Sequence, residues 1–179
     1  MWNATFPPQI RNTHYLTINK PKMSNTTDTT KPRTRRAIFA GSFDPFTKGH
    51  KNIVDRALAS VADEVVIAIG INFEKKSMLS PEQRAEAIRA VYTDNPRVCI
   101  DTYTGLTTDY AQRTKADFLL RGARSVKDFE YERYIADVNR KLTGIETVIL
   151  FSEPELASIS SSIVRELISY NKDVTNFLP

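Results

Sequence analysis

Four separated stretches carry side chains suited to gripping anions. GSFDPFTKGH, residues 41–50, holds Gly41, Asp44, Pro45, Gly49 and His50 within ten positions, and an amphipathic run follows. Gly49 and His50 therefore fall at a helix start, where free backbone N–H groups and the helix dipole favour an anion. A histidine there can donate a hydrogen bond to a phosphoryl oxygen. It can also merely cap or pack, but the strand–loop–helix setting and the flanking glycines favour function. ISSSIVRE, 159–166, brings Ser160, Ser161 and Ser162 to the start of another apolar-faced helix. One serine suffices for an N-cap, so three hydroxyls beside free N–H groups read as a polyphosphate cradle. Arg121 ends the apolar run DFLL, a position odd for a core and expected for a site. EKKS, 74–77, follows the second strand and reads either as a solvated charged loop or, with Arg121 as partner, as a clamp for a second anion.

The elements that must position these groups follow from periodicity. AIFAG (37–41), EVVIAIGI (64–71), RVCIDTY (97–103), DFLLRG (117–122) and TVILFS (147–152) read as short, mostly buried strands. Helical patterns fill the gaps at 50–61, 80–92, 107–115, 127–142 and 160–170. The second opens with Ser80 as N-cap, Pro81 at N1 and Gln83 at N3, the signature of a capping box. Strands alternating with helices predict an α/β domain built on an open, Rossmann-like five-stranded parallel sheet with helices on both faces. In such sheets ligands bind beyond the carboxyl ends of the strands, where strand order reverses. An order of 3-2-1-4-5 makes strands 1 and 4 neighbours, so that GSFDPFTKGH and RGARSVKDFEYE (121–132) converge there. The first of these loops is neither a G-x-G-x-x-G dinucleotide fingerprint nor a Walker A loop.

Composition excludes other classes. Among 179 residues, 41% are apolar and 26% charged, as in ordinary globular proteins. No run approaches the ~20 apolar residues that span a membrane. The net charge of +4 suggests nucleic acid until it is located. Residues 1–34 hold Arg11, Lys20, Lys22, Lys31 and Arg33 against Asp28, which leaves the body with 20 basic and 20 acidic groups. A neutral body argues against a nucleic-acid-binding module with a basic arm. Residues 1–34, with NTTDTTKP at 25–32, are expected to be a disordered extension, and 35–179 the folded domain. Cys99, the single cysteine, precludes an internal disulfide, fits a cytoplasmic setting, and reads as a small hydrophobe within its strand.

Taken in order, GSFDPFTKGH, the lysine pair after strand 2, RGAR…DFEYE and ISSS resemble the nucleotidyltransferase superfamily with a T/H-x-G-H motif. Within it they resemble the phosphopantetheine adenylyltransferases, over about 35–179. The resemblance implies that ATP and 4′-phosphopantetheine give dephospho-coenzyme A and pyrophosphate, in coenzyme A biosynthesis. It implies His50 as transition-state stabiliser at the α-phosphate, and Ser42 and Phe43 between the two substrates. Lys75 and Arg121 would hold the acceptor phosphate, with Thr107 near the pantetheine arm. Gly122, Ala123, Arg124 and Glu132 would contact ATP. Leu156, Ala157, Ser158, Ile159, Ser160, Ser161 and Ser162 would wrap its nucleotide and polyphosphate. A cytidylyltransferase or mononucleotide adenylyltransferase using the same loop is the alternative within the class; the lysine pair and RGAR…DFEYE argue against it. A homohexamer is implied by resemblance alone.

The residue types fit that reaction. A phosphate monoester is already ionised near neutral pH, so no general base is required, and no Ser-His-Asp or Cys-His set is needed. The work is to bring two anions together and to stabilise charge as pyrophosphate leaves, by positioning and fixed positive charge. Mg²⁺ is expected, held mainly by phosphate oxygens and water rather than by a carboxylate cage. Asp44 reads as a brace of its loop rather than as a metal ligand. Three positions depart from the usual pattern. Ser42 stands for threonine and keeps the hydroxyl, Ala123 replaces a larger aliphatic residue, and Leu156-Ala157 stands where an aromatic is common.

Overall fold

A computed structural model describes residues 33–179 apart from 73 and 75. Its first strand, β1 (Arg36–Gly41), is central, because its alternate residues have a core to enter on either side. β2 (Glu64–Gly70) pairs along one edge of it, with Ile38 opposite Val66, and β4 (Phe118–Ala123) along the other, with Ile38 opposite Leu119. β3 (Val98–Tyr103) and β5 (Glu146–Phe151) complete a fully parallel sheet in the order β3-β2-β1-β4-β5. This is the expected order, and β1 and β4 are neighbours at the reversal. The compact unit runs from Arg33 to Pro179. Of the expected disordered extension, residues 1–32 lie outside the described residues.

Period-two alternation sends Ala37, Phe39, Val65, Ile67 and Leu120 to one face. There they pack with Ile53, Val54, Ala57 and Leu58 of α1 (Lys48–Ser60) and Ala85 and Ile88 of α2 (Pro81–Val91). The capping box at α2 forms as its sequence requires. Ser80 Oγ accepts from Gln83 N–H at 3.2 Å, and Gln83 Oε1 accepts from Ser80 N–H at 2.9 Å. Ile38, Ala40, Val66, Ala68 and Leu119 face the other way, against Tyr110 and Ala111 of α3 (Thr107–Arg113). α4 (Val126–Thr143) lies on this second side and ends at Gly144, whose φ of +76° gives the left-handed C-cap that glycine adopts without strain. α5 (Ser161–Ser169) buries Val164 completely.

Cys99 corrects one expectation. It lies within its strand but is exposed rather than a packed hydrophobe. β3 is an edge strand, and the face that Cys99 shares with Asp101 is covered only at its far end, where Tyr103 and Tyr110 stack with ring centroids 4.7 Å apart.

Candidate active site

Two cavities open at the carboxyl ends of β1 and β4, and they share Ala40 and Arg121 as a common wall. The first, about 310 Å³, is lined by the β1–α1 loop, the end of β4, and the start of α5. The second, about 270 Å³, lies between α3 and α4, with Leu106, Thr107, Tyr131, Ile135, Val138 and Leu142 in its walls. The first is polar and cationic. The second is mostly apolar, with Arg121 at the end where the two meet.

His50 shows how the sequence builds the first cavity. It sits at N3 of α1, after the N-cap Thr47. The Thr47 backbone N–H donates to His50 Nδ1 at 3.0 Å. Nδ1 is thereby an acceptor, so the neutral ring carries its proton on Nε2. Nε2 has no partner among the described residues, and His50 lines the cavity. The ring is fixed by Phe46, stacked with centroids 5.4 Å apart, and by the edge of Phe43 at 5.2 Å. Capping and function are not exclusive readings here: one ring nitrogen closes the helix start and the other faces the cavity.

Burial among these rings, and then the charges of Arg124 and Arg121, lower the His50 pKa to about 4. The ring is therefore a neutral donor throughout the physiological range. In the unfolded chain the group titrates near its ordinary value of 6.5. As pH falls from 6.5 towards 4, the unfolded chain binds a proton that the folded one refuses, so folding stability must drop over that window and level off below it. Urea midpoints across pH 4–7 should show a steeper fall for the wild type than for His50→Gln, which lacks the titrating group. Equal slopes would refute the assignment.

Arg121 is gripped on three sides. Its Nε–H and Nη2–H donate to Glu132 Oε2 and Oε1 at 2.6 and 2.7 Å, and its Nη1–H to the Ala40 carbonyl at 2.7 Å. Bidentate pairing of this kind sets the plane of the guanidinium. Three of its five N–H donors are used, which leaves one on each Nη for a ligand. Glu132 is the one buried residue of α4, and it faces inward because Arg121 is there. Arg124 donates from Nε to Asp128 at 3.0 Å, and Ser125 caps α4.

The start of α5 closes the far side. Ser160 is its N-cap and accepts from Ile163 N–H at 3.2 Å. Ser161 Oγ–H donates to the Pro45 carbonyl at 2.8 Å, which ties α5 to the β1–α1 loop. Arg165 donates to the Asp44 carbonyl at 2.6 Å and lines the same cavity. The Asp44 carboxylate accepts from the Met78 and Leu79 N–H groups at 2.7 and 3.0 Å, and so braces the loop against the segment before α2.

The chain matches a family model described as cytidylyltransferase-like over residues 38–167. It is 57% identical to the phosphopantetheine adenylyltransferase of Bacteroides thetaiotaomicron, over 81% of this chain and 95% of that one. It is 59% identical to the enzyme of the same name from Phocaeicola vulgatus, with the same shares covered. The chain belongs to the phosphopantetheine adenylyltransferase family. Among solved structures, a bifunctional NMN adenylyltransferase/ADP ribose pyrophosphatase from Francisella tularensis is similar in fold, with a TM-score of 0.60 and 17% identity. That likeness covers 82% of this chain and 44% of the other, so this chain spans less than half of it.

The fold brings most of the residues suggested by resemblance to phosphopantetheine adenylyltransferases into the first cavity. Ser42, Phe43, His50, Gly122, Arg124, Glu132, Ile159, Ser160, Ser161 and Ser162 line it. Thr107 lines the second cavity, where its Oγ1 lies 2.7 Å from the Tyr103 hydroxyl, and Arg121 lines both. Ala123 is fully buried and is absent from the lining; its carbonyl accepts from Ser152 N–H. It offers a ligand no side chain. Leu156, Ala157 and Ser158, in and after a 3₁₀ turn at Pro154–Leu156, are also absent from it. Lys75 lies outside the described residues. Arg165 is the lining cation that motif reading missed. Its place three residues after Ser162, about one helical turn from a serine-rich helix start, is the signal that could have found it.

Proposed function

We propose that this chain transfers the adenylyl group of ATP to 4′-phosphopantetheine, giving dephospho-coenzyme A and pyrophosphate. The observation that carries the reading is the shared wall. A cationic, hydroxyl-rich cavity and an apolar one meet at Arg121, so two different ligands can present phosphates to one point. The polyphosphate of ATP suits the first, among His50, Arg124, Arg165 and the serines that open α5. An acceptor with a phosphate at one end and an extended arm of methyl, methylene and amide groups suits the second, its phosphate at Arg121 and its arm along α4. The names of the relatives point the same way.

In this reading an acceptor phosphate oxygen attacks the α-phosphorus in line, and the bond from that phosphorus to the bridging oxygen breaks. The electron pair leaves with pyrophosphate. The acceptor is already ionised, so no side chain removes a proton. Arg121 holds the nucleophile, while the His50 Nε2–H donates to the oxygens of the reacting phosphoryl group, where charge builds. The cavity offers cations and hydroxyls, and Glu132 is committed to Arg121. Among the described residues, no group of three His, Cys, Asp or Glu is placed to hold a metal. That donor set fits Mg²⁺ carried on phosphate oxygens and water, where it would neutralise charge on the polyphosphate. Among the described residues, no helix is long and apolar enough to cross a membrane. A homohexamer and a cytoplasmic setting belong to the same proposal.

The test is pyrophosphate release, with each nucleoside triphosphate offered against 4′-phosphopantetheine, nicotinamide mononucleotide and phosphocholine. Turnover confined to ATP with 4′-phosphopantetheine is expected. Faster turnover with another pair would overturn the reading.

A further inference from the structure

Arg84 lines neither cavity, yet it is a guanidinium only 3% exposed on α2 with no ion pair among the described residues. A buried cation is costly unless its donors are used. Its Nη1–H donates to the Ser42 carbonyl at 2.7 Å and its Nε–H to the Ser80 carbonyl at 3.3 Å. A reciprocal tie runs back. The Asp44 carboxylate, 5% exposed, accepts from the backbone just before α2. The β1–α1 loop and the start of α2 are thus cross-bonded in both directions, over a separation of 42 residues in one case.

This tie fixes more than the loop's position. A trans peptide is planar, with its carbonyl and N–H pointing in opposite directions. Holding the Ser42 carbonyl at Arg84 therefore turns the Phe43 N–H away from α2. Phe43 lines the first cavity beside His50, and its N–H has no partner among the described residues. Phe43 also has φ +47°, a left-handed conformation that a bulky side chain does not hold unaided. The Asp44 and Pro45 carbonyls, which would repel a phosphate if they faced it, are held by Arg165 and Ser161. Among these fixed groups, the Phe43 peptide is the one whose direction Arg84 decides.

We propose that Arg84 is a positioning residue: from outside both cavities, it aims the Phe43 N–H at the phosphoryl group that His50 also faces. The inference rests on the reaction proposed above. Arg84→Met keeps the bulk and removes the donors. It should lower kcat about ten- to a hundredfold, the scale of a small misplacement at a reacting centre, with the ATP dissociation constant within about twofold of wild type. Arg84→Lys keeps the charge but loses the fork that bridges two carbonyls, so its kcat should fall between the two.

Three readouts decide it: kcat per folded molecule, ATP affinity by titration, and the Phe43 amide resonance in an ¹⁵N–¹H spectrum with and without ATP and Mg²⁺. The resonance should move on nucleotide addition in the wild type, and move less in both variants. A merely structural tie would lower the melting temperature and leave kcat and the Phe43 shift unchanged, and a loss of ATP affinity well beyond twofold would overturn the proposal by placing Arg84 in nucleotide binding. If Arg84→Met does not fold, Arg84→Lys decides alone, and a folded Arg84→Lys with wild-type kcat overturns the proposal. Should the wild type itself release no pyrophosphate, the functional reading falls. Arg84 is then judged by the Phe43 resonance alone, and an equal shift in wild type and Arg84→Lys overturns it.

Discussion

His50→Gln should lower kcat about 10²–10³-fold, the cost of removing one donor aimed at developing charge, while the melting temperature stays close to wild type. The choice of glutamine follows from the two jobs of the ring. Nδ1 accepts from the Thr47 N–H and closes the first turn of α1; glutamine at N3 does this in ordinary capping boxes. The Nε2–H at the cavity has no counterpart in a glutamine so engaged. His50→Ala removes both and should add a stability loss of about 0.5–2 kcal/mol, the usual value of a helix cap, and it loosens the Phe43 and Phe46 rings packed on the imidazole. ATP affinity should change little in the glutamine variant, because a group that acts on the transition state lowers kcat and kcat/KM together. Pyrophosphate release, ATP titration and a thermal melt on both variants separate the roles. A glutamine variant with wild-type kcat would leave His50 as a cap only.

Arg121→Ala should weaken acceptor binding about ten- to a hundredfold, the ~1.5–3 kcal/mol typical of a hydrogen bond to a charged group. The loss has two parts. The two free N–H donors go, and Glu132 stays behind with its side chain 11% exposed and its partner missing. An unpaired carboxylate at the junction of two phosphate sites repels both ligands. Removing that charge as well, in Arg121→Ala with Glu132→Gln, should therefore recover part of the affinity, and the double-mutant cycle should show coupling of about 0.5–3 kcal/mol. Titration of each ligand on the four proteins measures it. Additive losses would show that the pair does not act as a unit at the site.

The strands and helices were legible because their periods are plain and their boundaries are marked, as at Ser80-Pro81. The strand order was expected from the doubly wound pattern, and it is this order, with β1 beside β4, that brings the two loops rich in anion-binding groups together. What was not legible depends on distance in sequence. The Arg84–Ser42 tie joins residues 42 apart and the Arg165–Asp44 tie residues 121 apart, so no local pattern announces either. Glu132 was suggested by resemblance as an ATP contact; that it first holds Arg121 is a matter of how α4 lies on β4. Ala123 illustrates the limit of carrying motif positions over as side-chain contacts, since a position beside a site can be wholly buried. Cys99 misled because hydrophobicity marks a strand without saying whether that strand is central or at an edge.

That exposed thiol has a practical use. Cys99 is the chain's single cysteine, on an edge strand separated from β1 by β2. A maleimide dye or nitroxide will therefore attach at one known place, outside both cavities, with no need to remove competing sulfhydryls. Energy transfer from that dye to a fluorescent nucleotide then reports occupancy of the first cavity in real time, and the approach of each substrate can be followed with the catalytic side chains untouched.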